Sequence, residues 1–189
     1  MSGAGRRDGA SHRPTAGAAE DKRYFRDVLG NFPTSVVAIT TSGADREPQG
    51  MIVGSFTSIS LDPPLVGFLA DRSSSTFPRI REAGRFCVNA LAADQEALCR
   101  AMAVRGSAKR FDGVPWQPSR LGNPVLEGIV AWIDCELTQV VELGDHVLAV
   151  GKVHELRAES AKTPLLFFRG GYGDYFSSSA MVLDRLVGW

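Results

Sequence analysis

The stretch Gly50 to Pro64 reads Gly-Met-Ile-Val-Gly-Ser-Phe-Thr-Ser-Ile-Ser-Leu-Asp-Pro-Pro, and it constrains the fold more than any other part of the chain. Met51, Ile52 and Val53 open it as a strand, whereas Pro63 and Pro64 lack amide hydrogens and end the ladder in a turn. Between these ends, hydroxylated or small residues alternate with apolar ones. Period-two alternation puts Ser55, Thr57 and Ile59 on one face and Gly54, Phe56, Ser58 and Ser60 on the other. A strand that only fills a core has no use for so many hydroxyls and a glycine. A strand beneath a flat ligand with polar edges does, because glycine lets the ligand approach the backbone and hydroxyls supply hydrogen bonds.

Around this stretch the chain reads as many strands and few, short helices. Asp21 to Gly30 is expected to be a helix capped by Asp21, with Phe25, Val28 and Leu29 on one face. Thr34 to Thr41 is a β-branched strand between Pro33 and Gly43, forming a hairpin with the opening stretch. The apolar run Leu65 to Leu69 reads as a strand buried on both faces. Phe77 to Ala83 is a helix with Pro78 in its first turn and Gly84 at its end, followed by a strand, Arg85 to Leu91. Asp94 to Val104 is an amphipathic helix with Leu98 and Met102 inward, and Trp116 to Val125 is loop. Gly128 to Val141 alternates with one wetter face, on which lie Trp132, Asp134, Glu136 and Thr138. Gly144-Asp145 turns the chain into a further strand, His146 to Leu156, and Leu165 to Phe168 is a last short one. This pattern predicts a mainly β protein, a closed or nearly closed barrel.

The 21 acidic and 21 basic residues cancel, which argues against a nucleic-acid partner. No apolar run reaches the length of a membrane span. Residues 1–20, rich in Gly, Ala, Ser and Arg, are expected to be disordered, 21–176 to form one domain, and 177–189 to be a tail. Arg6-Arg7 is followed by no apolar segment and is not read as an export signal. The 3 cysteines show no Cys-x-x-Cys spacing and fit reduced, buried thiols in a cytoplasmic protein.

Two stretches leave two readings open. Arg72-Ser73-Ser74-Ser75-Thr76 is either a helix cap with a solvated loop or a phosphate seat at a helix start. Lys109-Arg110-Phe111 is either a surface turn or a lid that brings a cation and a ring to a ligand. Neither a dinucleotide-binding glycine fingerprint nor a nucleophilic triad stands out, and His146 and His154 have no third metal ligand. Acid-base machinery is sparse, which suits a protein whose cofactor performs the chemistry.

Gly50-Met51 with Gly54 to Val66, then Gly84-Arg85-Phe86-Cys87-Val88-Asn89-Ala90-Leu91, Gly144-Asp145-His146 and Pro164 to Gly170 occur in that order. Together they closely resemble the signature of the flavin reductase family, which supplies reduced flavin to two-component monooxygenases. The resemblance runs from about Tyr24 to Tyr175, although many members carry Asn or another polar residue where this chain has Gly54. It implies a split, Greek-key barrel that binds FMN or FAD and forms a homodimer with flavin near the subunit interface. It implies flavin contacts at Gly50, Met51, Ile52, Gly54, Ser55, Phe56, Thr57 and Ser58. For Arg72, Ser73, Ser74, Ser75 and Thr76 it favours the phosphate seat. Asn89, Lys109, Arg110 and Phe111 are implied near flavin, and His146, Arg169 and Tyr172 on the nicotinamide side.

The expected activity is hydride transfer from NADH or NADPH to FMN or FAD, with no covalent catalytic residue and a flavin-dependent monooxygenase receiving the product. The competing reading is a non-catalytic flavin carrier on the same barrel. A barrel oxidase acting on a pyridoxine-like substrate is a weaker third, since it needs a further basic cluster for the substrate phosphate.

Overall fold

A computed structural model describes residues 21–43, 46–104 and 110–175. The tails expected at 1–20 and 177–189 lie outside the described residues. The element order is α1 (Lys22–Leu29), β1 (Thr34–Ser35), β2 (Val37–Ser42), β3 (Pro48–Val53), β4 (Thr57–Leu61), β5 (Pro64–Asp71), α2 (Phe77–Ala83) and β6 (Arg85–Ala90). A 3-10 turn, Ala93–Gln95, leads into α3 (Glu96–Ala103). Then come β7 (Trp116–Pro118), β8 (Pro124–Leu126), β9 (Ala131–Leu143), β10 (His146–Ala158), β11 (Leu166–Phe168) and β12 (Gly171–Gly173).

Seven strands form one sheet in the order β3-β2-β6-β9-β10-β5-β4. β3 and β4 are consecutive in the chain yet stand at opposite edges, so the sheet curls until its edges meet and Gly54-Ser55-Phe56 bridges the gap. The result is a mainly β split barrel. Inside it pack Val37, Ile39, Phe68, Phe77, Ile80, Phe86, Val88 and Ala149. Phe68 meets the Phe86 ring edge-on at 5.2 Å between centroids and Phe77 at 6.4 Å. Gly151 of β10 lies against this cluster, where a Cβ would stand 2.4 Å from Phe86 Cζ and 2.9 Å from Cys135 Cβ.

A second cluster covers part of the outer face, where Leu91, Cys99, Met102, Leu126, Ile129, Trp132 and Leu165 meet. It explains several departures from the sequence reading. The segment read as loop from Trp116 to Val125 pairs with itself, β7 on β8. On the face of β9 expected to be wetter, this flap covers Trp132, only 6% exposed, and Asp134, fully buried, while Glu136 and Thr138 beyond it are exposed as expected. Asp134 is held there by the Leu121 amide (2.9 Å) and the Asn123 side-chain amide (2.7 Å). The strand expected over Thr34 to Thr41 breaks at Val36, where the chain passes between sheets. Val36 N–H donates to Leu165 O and its carbonyl accepts from Leu91 N–H; before it, β1 lies in the small sheet β1-β11-β12, and after it β2 enters the barrel sheet. In β5, Leu69 turns outward at 36% exposure instead of being buried on both faces.

Burial pushes the Cys135 thiol up from 9.0 to about 12, helped by the neighbouring Asp134 charge, and Cys87 rises for the same reasons. Since folding raises these values, protonated thiols contribute fully below pH 9.0 and lose that contribution as pH climbs toward 12. A thiol reagent at neutral pH should therefore leave Cys87 and Cys135 unmodified until denaturant unfolds the chain. Reaction of both in native protein would show that the barrel wall is open there.

Gly151→Ala should destabilise the barrel by about 1–3 kcal/mol through overpacking against Phe86, read as a lower denaturant midpoint. An unchanged midpoint would show that the Phe86 ring moves aside freely.

Candidate functional site

The closing of the barrel rests on one hydroxyl. Ser55 Oγ accepts from Leu69 N–H at 3.0 Å and donates to Leu69 O at 3.1 Å, standing in for a strand partner where β3 has ended and β4 not begun. Over this seam opens a cavity of about 1200 Å³. Ordinary small-molecule sites span roughly 300–1,000 Å³, so there is room for more than one ring system. Met51, Ile52, Val53 and Leu69 provide an apolar floor, and Ser73, Ser74, Ser75, Thr76 and Arg110 stand at one end. Asp71, Asp145 and His146 stand beside that loop, Asp71 through Ser73 and Asp145 through the Arg72 amide, and α1 with Thr34 also lines the cavity.

Of the residues expected to hold flavin, the cavity gathers Met51, Ile52, Gly54, Ser55, Ser73, Ser74, Ser75, Thr76 and Arg110, together with His146 from the nicotinamide group. The glycine reasoning changes. A Cβ on Gly54 would meet Thr34 Oγ1 at 2.8 Å, so the missing side chain makes room for β1. Gly50 is buried beneath Met102 and Phe111, whose atoms would lie 2.5 and 3.1 Å from a Cβ there. Phe111 is thus packed over β3 and does not line the cavity.

Phe56 packs into the barrel core, and Thr57 and Ser58 lie exposed on β4. The simple alternation fails because the chain leaves the ladder at Gly54 and because a register shift falls between Ser58 and Ser60. Asn89 is fully buried in the second cluster, donating to Ala38 O and Thr40 Oγ1 and accepting from Leu126 N–H. Arg72 turns away toward Gly144 O and Glu142. Lys109 lies outside the described residues.

The two readings of the serine loop both hold a part. Ser73 N–H and Oγ–H each donate to Asp71 Oδ1 at 2.7 Å. Ser74 Oγ accepts from the Thr76 and Phe77 amides at the start of α2. Two of the serines therefore cap and brace the loop, while Ser75 is exposed on the cavity wall. Arg110 is likewise engaged. Its Nη1 donates to Thr76 Oγ1 at 2.6 Å and Gly50 O at 2.9 Å, and Nε and Nη2 both donate to Val104 O. This clamp joins β3, α2 and the end of α3.

His146 begins β10 just after the Gly144 turn, whose φ of 61° suits glycine. Its Nδ1 lies 2.7 Å from Asp145 Oδ1. That hydrogen bond and the imidazole charge hold the Asp145 carboxyl below the usual range, so it is ionised near neutrality. The ring's Nδ1–H donates to that carboxylate, and His146 lines the cavity rim.

Arg169 and Tyr172 are not in this cavity. Arg169 ties down the end of α1, its amide donating to Gly30 O and its Nε to Asn31 Oδ1 at 2.9 Å. Tyr172 lines a separate cavity of about 380 Å³ with Pro33 and Phe168. Its hydroxyl accepts from the Cys99 thiol, and the Arg100 guanidinium lies 4.8 Å from its ring centre.

Sequence reasoning missed the α1 wall. Lys22, Phe25, Arg26 and Leu29 all line the cavity, and their i, i+3, i+4, i+7 spacing was the available signal. The apolar face holding Phe25, Val28 and Leu29 is not buried: no residue of α1 is, and Phe25 and Leu29 are each 50% exposed. An apolar floor, a hydroxyl-rich end and an imidazole rim fit a flat heteroaromatic ring with a polar tail.

Comparison with known proteins agrees. A family model described as "Flavin reductase like domain" matches residues 29–175. A flavin reductase of Pseudomonas putida is 50% identical over 158 residues, covering 84% of this chain and 92% of the relative. HsaB of Rhodococcus jostii, the reductase subunit of a flavin-dependent monooxygenase, is 44% identical over 157 residues, 83% of this chain and 80% of the relative. Among solved structures, nitrilotriacetate monooxygenase component B from Mycobacterium thermoresistibile superposes with a TM-score of 0.81 at 39% identity, over 90% of this chain and 97% of that one. The NADH:FAD oxidoreductase SgcE6 of Streptomyces globisporus, solved with NAD and FAD fragments, gives 0.79 at 34% identity, over 86% and 96%.

Ser55→Ala should leave the Leu69 N–H and C=O without their partner and cost about 1–2 kcal/mol, with flavin affinity falling as the seam loosens. Unchanged thermal stability would show that the hydroxyl does not hold the edges together.

Proposed function

The chain belongs to the flavin reductase family, and on that footing we propose that it is an NAD(P)H:flavin oxidoreductase feeding a partner monooxygenase with reduced FMN or FAD. The observation that carries this reading is the seam cavity, large enough for two ring systems and floored by the apolar side chains of Met51, Ile52, Val53 and Leu69. When bound there, flavin supplies the ring that accepts a hydride from reduced nicotinamide.

The chain's own contribution is placement. Met51, Ile52 and Leu69 offer an apolar surface on which a ring lies flat. The main chain leaving the ladder at Gly54 presents donors to the ring's polar edge, where charge arrives. Ser75 offers its hydroxyl to the polar tail, while Ser73 and Ser74 keep the loop in shape. His146, held by Asp145 on the cavity rim, orients the nicotinamide. Gly50 and Phe111 pack together behind β3, and Arg110 fixes β3 to the start of α2.

We further propose a homodimer, supported by apolar side chains left uncovered on one side: Val28 at 42%, Phe32 at 64% and Phe168 at 44% exposure. Cytoplasmic residence is supported by three free cysteines. Among the described residues no helix is long and apolar enough to cross a membrane.

The direct assay mixes protein, FMN or FAD, and NADH or NADPH and follows nicotinamide absorbance. Catalytic loss of absorbance with one pairing preferred is expected; flavin binding without turnover would make the protein a carrier. His146→Ala should lower kcat/KM for the nicotinamide while changing the flavin Kd by less than about threefold, under roughly 1 kcal/mol. Loss of flavin affinity with normal nicotinamide kinetics would move His146 to the flavin side.

A further inference from the structure

The cavity poses a charge problem. Either flavin nucleotide, and either nicotinamide dinucleotide, brings phosphate, and phosphate at an uncompensated site carries a heavy desolvation cost. The serine loop does not meet that need by itself. Its Ser73 donors are occupied by the Asp71 carboxylate, itself an anion on the cavity wall. The Thr76 and Phe77 amides are occupied by Ser74 Oγ. Arg110 spends its Nε, Nη1 and part of its Nη2 on protein oxygens. Asp145, whose carbonyl accepts from the Arg72 amide, adds a second carboxylate on the same cavity wall.

The other described cations lining the cavity are Lys22 and Arg26, one turn apart on α1. Neither forms a salt bridge among the described residues. They alternate along the helix with Phe25 and Leu29, which line the same cavity. A helix packed for its own sake would bury that face, yet α1 buries no residue, while its ends are secured by the Asp21 cap and by Arg169. Such a mixed apolar and cationic face matches a ligand that is part ring and part phosphate.

We propose that Lys22 and Arg26 form the cationic phosphate seat of this site, receiving a nucleotide phosphate across the cavity from the serine loop. This rests on the flavin reductase reading. The shared chemistry is a nucleotide phosphate, and two sources can bring it: the flavin's phosphate or the pyrophosphate of the nicotinamide dinucleotide.

The test uses the full chain with Lys22→Gln and Arg26→Gln combined; both side chains are exposed, so the fold is expected to survive, checked by an unchanged melting temperature. Binding of riboflavin, FMN and FAD is measured by flavin fluorescence, and KM is compared for NADH and for reduced nicotinamide riboside, which has no phosphate. A seat for flavin phosphate weakens FMN or FAD roughly three- to tenfold, the scale of two solvent-screened charge pairs, while riboflavin stays within about twofold. A seat for the dinucleotide raises the NADH KM by a similar factor and spares reduced nicotinamide riboside. In either case the difference shrinks as salt is raised. Equal effects on phosphate-bearing and phosphate-free ligands, or no effect on any, overturn the proposal. Failure of the wild-type chain to reduce either FMN or FAD with NADH or NADPH is a separate result and sinks the reductase reading itself.

Discussion

The Ser55 hydroxyl bridging both main-chain groups of Leu69 is the contact on which the rest of the structure depends. A sheet with two edges can stay open, pair with another chain or close on itself. Here β3 and β4 are joined by only Gly54-Ser55-Phe56, too short to let the edges part, and one side chain completes the ladder that the backbone abandons. Closure in this form leaves a gap in the outer wall. The cavity is that gap, bounded by whatever elements flank the seam: α1, the loop before α2, and the turn before β10.

The polar side chains around the seam divide into those that build the gap and those that face it. Arg110, Thr76, Ser73 and Ser74 are bonded to protein atoms and set the distance between walls. Ser75, His146 and the α1 cations line the cavity. This division suits a reductase, whose task is to stack two ring systems at hydride distance and release one of them. Rigid walls fix the geometry, while groups facing the ligands remain solvated and exchangeable.

Much of this was legible in the sequence because it rests on local chemistry. Asp21, Pro78 with Gly84, and Gly144 each announce a helix end or a turn, and α1, α2 and the β9–β10 hairpin follow. The ordered motifs led to the family and the barrel. What could not be read were contacts between residues distant in the chain. Gly54 looks like a ligand platform until Thr34 is brought against it. Asn89 looks like a ligand contact until the Leu126 amide reaches it across the flap. The face of β9 was misread at Trp132 and Asp134 because their cover, β7 and β8, is a pair of three-residue strands with proline and glycine between them. The cavity wall on α1 was hidden differently: an amphipathic helix normally signals burial, and here its face lines an open cleft.

The central claim is that flavin lies over the barrel seam. A structure of the protein crystallised with FMN tests it most directly. The account predicts the ring flat against Met51, Ile52 and Leu69, with its polar edge at the Gly54–Ser55 main chain and its polar tail toward Ser75. A ring seated instead in the smaller cavity beside Tyr172 and Phe168, with the seam cavity holding only water, would contradict it.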